Sequence, residues 1–214
     1  MAYTVAFEGI DARLVEVQCA VTPGIPAFTI VGLPDKAVSE AKERVRAALS
    51  AMAIALPSKR ITVNLSPADM PKIGSHFDLP IALALLAALD IVPLAAAEET
   101  VALGELSLDG GLVAVTGALP AAMAAAGEGK QLVCPKPCGP EAAWVGSARV
   151  IAPQSLADMV RHFSGACVIA PSQPGEVPQT NAQRDMSDVK GQERAKRALE
   201  IAAAGRHHFL MVGA

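Results

Sequence analysis

The first thirty residues alternate between apolar and polar side chains in three short runs. Tyr3–Phe7 and Arg13–Cys19 alternate with a period of two, and Gly9-Ile10-Asp11 separates them. This pattern predicts two β-strands joined as a hairpin. A third run, Phe28–Val31, follows the turn residues Pro23-Gly24-Ile25-Pro26 and predicts a third strand.

The period changes from two to about 3.6 after Gly32-Leu33-Pro34. Apolar side chains then recur on one helical face, namely at Val38, Ala41, Val45, Ala48, Leu49 and Met52. Asp35 precedes them, and its carboxylate can accept hydrogen bonds from the free N–H groups of a first helical turn. We therefore predict a helix that begins after Asp35 and ends before Pro57.

The stretch Arg60–Ala88 combines a strand, a loop and a strongly apolar helix. Ile61, Val63 and Leu65 alternate with polar residues, which predicts a strand with one buried face. Prolines at 67 and 71 interrupt it, and the apolar run Leu79–Leu89 follows. That run of 11 residues is shorter than the roughly 20 that a membrane-spanning helix needs. We predict a buried core helix and no contact with a membrane.

The next part of the chain, up to Phe163, alternates predicted strands with predicted helices. The strands are Val101–Leu108, Leu112–Val115, Gln131–Cys134 and Ala148–Ile151, and the helices are Ala118–Ala126, Gly139–Trp144 and Gln154–Phe163. Asp109-Gly110-Gly111 is a turn signal between the first two strands. Strands and helices in alternation are typical of an α/β domain.

The composition changes between residues 164 and 187, where Pro, Gly, Ser, Gln, Thr and Asn predominate. Such a segment cannot pack a core and predicts a linker. Beyond it, Gly191–Ala204 has helical spacing, and His207–Gly213 predicts a buried strand that enters a glycine. We therefore predict a first domain at 1–165, a linker at 166–187 and the beginning of a second domain at 188–214.

Charge is informative in one stretch only. The whole chain has a formal net charge of −3, so it has no overall basic footprint for nucleic acid. Residues 36–72 nevertheless hold seven basic and three acidic side chains. One interpretation is a solvated helix face with ion pairs such as Glu40–Arg44. The other is a surface that contacts a phosphate backbone; its candidates are Arg44, Arg46, Lys59, Arg60 and Lys72.

The N-terminus and the cysteines both predict a cytoplasmic protein. MAYTVAFEGID has neither the basic region nor the apolar region of a signal peptide. Cys134 and Cys138 are the only closely spaced pair among four cysteines, and no further ligands of similar spacing flank them. Free thiols, as found in a reducing compartment, are the preferred interpretation, and no metal site is predicted.

Several segments resemble known families. Lys72–Ala82 resembles the loop that carries the nucleophilic serine in Lon-type Ser/Lys proteases, and residues 103–126 resemble the strand, turn and helix that carry their lysine. Nearly the whole chain, including Gly32–Leu49 and Val189–Gly205, resembles the Mg-chelatase-like ComM/YifB family. In that family a Lon-like module precedes an AAA+ ATPase. The resemblance implies a two-layer α/β domain of the ribosomal S5 domain 2 or Lon-protease-domain type.

The Lon-like motifs lack both catalytic residues. His76 occupies the position that corresponds to the serine, and Ser75 lies one residue too early. Ala121 occupies the lysine position, and residues 110–129 contain no lysine. Ser75, His76 and Asp78 are too close in sequence to converge as a triad. We predict no catalytic residues, and we expect His76 and Asp78 to stabilise the N-terminus of the following helix.

The C-terminal segment resembles the entry to an AAA+ core. By that resemblance Val189, Gly191 and Gln192 would lie near an adenine, and Gly213-Ala214 would begin a P-loop after an apolar strand. The resemblance implies ATP and Mg as cofactors. The lysine that contacts the phosphates would lie beyond residue 214, so we expect this chain to be unable to hydrolyse ATP by itself.

The ComM/YifB resemblance implies that the whole protein is a hexameric AAA+ ATPase that drives DNA branch migration during natural transformation. The domain described by residues 1–165 would then serve assembly or DNA contact. Two alternatives remain open. A Lon-type protease is opposed by His76 and Ala121, and a magnesium chelatase motor subunit would share the AAA+ part but not the Lon-like domain.

Overall fold

The computed structural model describes residues 1–176 and 185–213, and nine strands lie in the first of these ranges. They are β1 (Ala2–Glu8), β2 (Asp11–Thr22), β3 (Ala27–Val31), β4 (Arg60–Ser66), β5 (Thr100–Ala102), β6 (Glu105–Leu106), β7 (Leu112–Val113), β8 (Gln131–Val133) and β9 (Val150–Ile151). Strands β6 and β7 form a separate antiparallel hairpin.

The other seven strands form one sheet in the order β3-β4-β2-β1-β5-β8-β9. β2 is antiparallel to both of its neighbours, β1 and β4, and all other pairs are parallel. Six strands therefore run in one direction, and their carboxyl ends meet at one edge of the sheet. The predicted hairpin of the first two strands is confirmed, with Tyr3 opposite Glu16 and Phe7 opposite Ala12.

The described residues contain seven α-helices, and the first six of them connect or follow the strands of the sheet. They are α1 (Lys36–Ala51), α2 (Asp78–Ala88), α3 (Leu94–Glu98), α4 (Ala118–Gly127), α5 (Gly139–Ala142), α6 (Leu156–Phe163) and α7 (Glu193–Gly205). Short 3-10 turns add Ser75–Phe77, Lys136–Cys138, Ala143–Val145 and Met186–Asp188. Together with the sheet, these helices confirm the predicted α/β class.

The sheet buries two hydrophobic clusters, one on each face. Helices α1, α2 and α6 pack with Val15, Val17 and Val63 on the first face. On the opposite face, α4 and α5 pack with Val5 and Val101. Helices α4 and α5 therefore add a third layer over β1 and β5. The same face of β2 and β4 carries polar pairs such as Gln18 and Asn64, and there the predicted two-layer arrangement holds. The first cluster includes the apolar helix α2, of whose residues Asp78–Ala87 are buried.

One predicted strand is divided in the structure. Val101–Leu108 was expected to be continuous, but β5 ends at Ala102 and β6 begins at Glu105. The intervening Gly104 uses its backbone outside the sheet: its N–H donates to the carbonyl of His76 at 3.0 Å, and its carbonyl accepts from the N–H of Leu79 at 3.0 Å. These tertiary hydrogen bonds replace the ladder that a longer strand would need.

The chain forms two compact units, Met1–Glu176 and Val177–Ala214, each with most of its contacts within itself. Residues 166–176, which the composition assigns to the linker, hydrogen-bond within the first unit. The N–H of Ser172 donates to the carbonyl of Val150 at 2.8 Å, and that of Gly175 donates to the carbonyl of Pro140 at 3.0 Å. Residues 177–184 of the predicted linker lie outside the described residues.

The second unit contains α7 and an extended segment after it. The predicted strand at His207–Gly213 is wrong for this chain, because Phe209–Val212 has no strand partner among the described residues and its side chains are exposed. A strand requires a neighbour for its backbone groups. In the part of the chain that the structure describes, no helix has the length and apolar character needed to cross a membrane.

Candidate functional site

A cleft opens where the parallel strands β1, β4 and β5 end. It has a volume of about 250 Å³ and is lined by Phe7, Ser75, His76, Glu105, Thr116 and neighbouring backbone. In α/β proteins the carboxyl edge of the sheet is where ligand sites usually form, because the connecting loops converge there. The Lon-like motif at Lys72–Ala82 contributes the floor of this cleft.

The loop that carries Ser75 and His76 is fixed to the start of α1. The N–H of Lys72 donates to the carbonyl of Leu33 at 3.1 Å, and the N–H of Asp35 donates to the carbonyl of Lys72 at 2.9 Å. The Asp35 carboxylate accepts from Val38 at 2.7 Å, as predicted for an N-cap, and also from the N–H of Gly74 at 3.3 Å. One side chain thus caps the helix and holds the cleft loop.

His76 is a buried, neutral member of the cleft. Its Nε2 lies 2.9 Å from the carbonyl oxygen of Val5, so Nε2 carries the proton and Nδ1 has a free lone pair. Its ring packs between Phe7 and Phe77, with ring centroids at 5.3 and 4.4 Å. Burial lowers the pKa of His76, which keeps the ring uncharged near neutral pH.

Asp78 follows the cleft residues Ser75 and His76 in the chain and lies in the first turn of α2. Its carboxylate is fully buried and accepts from Arg44 at 2.6 and 3.0 Å and from the N–H of Leu106 at 3.1 Å. The hydrogen bond to Asp78 raises the pKa of Arg44. This ion pair joins α1, α2 and β6 and fixes the hairpin that carries Glu105. Neither Asp78 nor His76 forms a side-chain cap of α2, so their expected effect on the start of that helix stays a prediction.

The cleft does not assemble a Ser/Lys pair. The Ser75 hydroxyl donates to Glu105, and no lysine is among the residues that line the cleft. Ala121 is buried in α4. At the start of that helix the ring of Phe7 covers Gly117, where an added Cβ would lie 2.3 Å from Cζ of Phe7. An aromatic ring therefore occupies the approach between the two motifs that would have to meet for serine activation.

An apolar groove continues from the cleft and shares Phe7 and Thr116 with it. The groove has a volume of about 600 Å³, and its walls include Ile10, Leu119 and Met123. Ile10 at the β1–β2 turn and Met123 on α4 are exposed. This arrangement can hold apolar groups beside the hydrogen-bonding groups of the cleft.

The structure separates the five predicted nucleic-acid residues. Lys72 is fully buried and its ammonium group donates to the carbonyls of Pro67 and Met70, while Arg44 is bound to Asp78. Burial lowers the pKa of Lys72. Neither side chain is available to a phosphate, so Lys72 and Arg44 are not part of a nucleic-acid-binding surface.

The remaining three basic residues are exposed, but they do not share one surface. Arg46 lies on α1 with Glu43 at 3.8 Å, whereas Lys59 and Arg60 lie at the start of β4. Arg60 is in register with Thr22 and Ala27, on the sheet face opposite to α1. A role of Arg46, Lys59 and Arg60 in binding nucleic acid stays a prediction.

Comparison with known proteins adds an independent line of evidence. Residues 15–137 match the family described as subunit ChlI of Mg-chelatase, and residues 185–214 match a second family described as magnesium chelatase, subunit ChlI. The chain is 40% identical to competence protein ComM of Haemophilus influenzae and 37% identical to the uncharacterized protein YifB of Escherichia coli. Both similarities cover 100% of this chain.

The chain belongs to the Mg-chelatase-like ComM/YifB family. It spans 43% of the length of the Haemophilus ComM protein and 42% of the length of the Escherichia YifB protein. The resemblance that the motifs indicated is therefore confirmed at the level of the family, for both the first unit and the second.

Membership of this Mg-chelatase-like family implies use of ATP and Mg. Gly191 and Gln192 have left-handed backbones, with φ of 71° and 55°, immediately before α7. Val189 and Gly213 are exposed, and Ala214 lies outside the described residues. None of these five positions carries a charged side chain, so they could contact a nucleotide only through backbone and neutral groups, and charged groups for phosphate and Mg would have to come from other residues.

Sequence reasoning missed the two contacts that shape the cleft. The Arg44–Asp78 pair joins residues 34 positions apart, and the His76–Val5 hydrogen bond joins residues 71 positions apart. No local pattern signals either contact. The only available signal was chemical: Asp78 opens a helix that is otherwise wholly apolar, and a carboxylate in such a position requires a buried partner.

Proposed function

We propose that this chain is the N-terminal part of a cytoplasmic, hexameric AAA+ ATPase that drives DNA branch migration. In this proposal the first unit serves assembly or DNA contact, and the second unit begins the motor. The supporting observation is the similarity to competence protein ComM over 100% of the chain, together with ChlI matches at 15–137 and 185–214.

The cleft supports a role without peptidase chemistry. Ser75 donates to the carboxylate of Glu105 rather than to a lysine amine, and the lysine position is the buried Ala121. Fluorophosphonate labelling tests this point. Wild-type protein and the Ser75→Ala variant should show the same background labelling, whereas labelling that disappears in Ser75→Ala would revive the hydrolase alternative.

The motor is tested with the whole protein from which this chain derives. We expect ATP hydrolysis that increases with branched DNA, and ATP-dependent movement of a synthetic four-way junction. Gly191→Val should weaken ATP binding, because a β-branched residue is strained at φ of 71° next to the predicted adenine position. ATP hydrolysis with no effect of DNA and no junction movement would refute the proposal.

DNA contact by the first unit is tested by charge reversal at its exposed basic residues. Arg46→Glu, Lys59→Glu and Arg60→Glu together should weaken DNA binding by the whole protein and reduce its salt dependence. The matched control reverses three exposed basic residues elsewhere, Arg13, Lys136 and Arg161. Equal effects of both triple variants would show that only overall charge matters and would remove the proposed contact.

A magnesium chelatase motor remains the second candidate, because both matching families carry that description. The two candidates differ in what stimulates the ATPase. A chelatase motor should support magnesium insertion into a porphyrin together with its partner subunits, and its ATP hydrolysis should not respond to branched DNA.

A further inference from the structure

A polar cavity lies at the edge of the sheet opposite to the cleft, where β5, β8 and β9 begin. Its volume is about 380 Å³, within the range of ligand pockets, and its lining includes Glu99, Lys130, Gln131, Ser147 and Arg149. The strand register accounts for this grouping. Thr100 pairs with Gln131, and Leu132 pairs with Val150, so Gln131 and Arg149 are neighbours at the strand starts.

The two basic side chains of this cavity differ in how they are held. Lys130 is oriented by the protein: its Nζ donates to the carbonyl of Glu98 at 2.7 Å and lies 4.0 Å from the ring centroid of Tyr3. Arg149 is exposed, and no carboxylate of the residues that the structure describes is within ion-pair distance of its guanidinium group. The cavity is thus lined by an ammonium group held in place and by a guanidinium group without an acidic partner among the described residues.

The charge balance of the lining favours an oxyanion ligand. Glu99 is its one carboxylate, so the two cations leave one positive charge uncompensated. The side-chain amide of Gln131 donates to the hydroxyl of Thr100 at 3.0 Å, and the exposed hydroxyl of Ser147 donates to the carbonyl of Val145 at 3.1 Å, so the two cations are the main donors left for a ligand. An arginine fork matches two oxygens of a phosphate, and a lysine adds a point charge.

We propose that this cavity, formed by Lys130, Ser147 and Arg149, binds a phosphate group. The site is separate from the predicted ATP-binding positions and from the cleft, and it lies wholly within the first unit. The phosphate could belong to a small phosphate ester or to a nucleic-acid backbone, since both present the same oxyanion. The size of the cavity accommodates a phosphate together with part of the group that carries it.

The test is a titration of the full chain that is monitored through its amide NMR resonances. Inorganic phosphate is added at constant ionic strength, which is maintained with sodium chloride. We expect saturable shifts at the amides of Gln131, Ser147 and Arg149. Arg149→Gln should weaken binding about tenfold, as expected for the loss of hydrogen bonds from a charged donor. Arg13→Gln, which changes another exposed arginine, on β2, should leave the affinity unchanged.

Two further ligands identify the source of the phosphate. A short DNA strand without terminal phosphates tests the nucleic-acid backbone, and glycerol phosphate tests a small ester. Displacement of inorganic phosphate by either one supports the site and names its ligand class. Shifts that follow ionic strength without saturating, shifts that persist unchanged in Arg149→Gln, or failure of both esters to bind would overturn the proposal.

Discussion

Buried polar side chains determine the geometry of the cleft more than its apolar lining does. Asp78 has no exposed surface, yet it accepts three hydrogen bonds, two of them from Arg44. Lys72 is equally buried and is held by backbone carbonyls. A buried charge is tolerated only when such partners replace water, so each of these residues constrains the segments that carry its partners.

The Arg44–Asp78 pair predicts a large and asymmetric effect of mutation. Asp78→Ala removes the fully buried carboxylate that pairs with Arg44 and should destabilise the protein by about 3–5 kcal/mol, because it leaves a partly buried charge without a close counter-charge. Glu40→Ala removes a longer contact to Arg44, at 4.0 Å and near the surface, and should change stability by at most about 0.5 kcal/mol. Urea unfolding of both variants measures the difference, and similar small losses would contradict the structural role of Asp78.

The buried histidines predict that acid weakens the fold. Burial lowers the pKa of His76 and of His162 in the folded protein. Below about pH 6.5 the unfolded chain therefore binds protons that the folded chain does not, so stability should fall as the pH is lowered through that region. Urea midpoints between neutral pH and mildly acidic pH measure this slope.

His76→Gln keeps a side-chain donor for the carbonyl of Val5 but removes the titrating ring. The acid slope should therefore become shallower, and replacement of His162 as well should flatten it further. A slope that is identical in wild type and in both variants would show that other groups control acid unfolding.

At this scale, sequence reasoning succeeded where the interaction is local. Asp35 was predicted as the N-cap of α1 because its partner, the N–H of Val38, is three residues away. The second bond of Asp35, to Gly74, crosses 39 residues and could not be predicted. Arg44 and Lys72 were predicted to lie on a surface because the sequence shows their charge but not the distant groups that bury them.

Among the elements, α4 and β1 show how a missing side chain sets a packing distance. Gly117, at the start of α4, has φ of 93°, and the ring of Phe7 on β1 fills the space in which a side chain would stand. A strand and a helix can approach this closely only at a residue without a Cβ. The contact closes the cleft on the side of α4.

Gly117→Ala should therefore destabilise the protein by about 2–4 kcal/mol, from both the contact with Phe7 and the left-handed backbone. Gly127→Ala is the matched control at the other end of α4, where nothing lies within 4 Å of an added Cβ. That variant should be neutral or slightly stabilising, because alanine favours a helix more than glycine does.

A double-mutant cycle separates the two causes. In a Phe7→Ala background the cost of Gly117→Ala should decrease to the backbone contribution of about 1 kcal/mol. An unchanged cost in that background would show that the Phe7 ring does not limit the space at Gly117.

Element prediction was accurate where periodicity is long and weak where tertiary hydrogen bonds intervene. The helix expected after Asp35 is α1, which begins as predicted at Lys36 but ends at Ala51, several residues before Pro57. The apolar helix expected at Leu79–Leu89 is α2, displaced by one residue. The strand at Val101–Leu108 was expected to be continuous because its residues favour strands, but Gly104 bonds to His76 and Leu79 instead. The strand at Phe209–Val212 has the composition of a central strand but no neighbour in the described chain.

At the scale of the whole molecule, the sequence predicts the class of the fold but not the sheet order. Alternating strands and helices imply an α/β domain, and the family resemblance implied its type. The placement of β2 between β1 and β4, antiparallel to both, depends on pairings between segments up to about fifty residues apart. The helical layer formed by α4 and α5 depends on the strand order in the same way, because that order decides which strands together present an apolar face.

The distribution of the core predicts that the first unit folds without the second. Every member of the cluster on the α4 face precedes Glu176. Among the residues that the structure describes, so do all the buried apolar residues except Ala202. A chain of residues 1–176 should therefore unfold cooperatively in urea, with dispersed amide resonances.

Within the full chain, amides of Leu210–Val212 should exchange rapidly, because their side chains are exposed and they have no strand partner among the described residues. Strong protection of these amides, or a molten 1–176 fragment, would show that the segment after α7 contributes to a core that the first unit cannot complete alone.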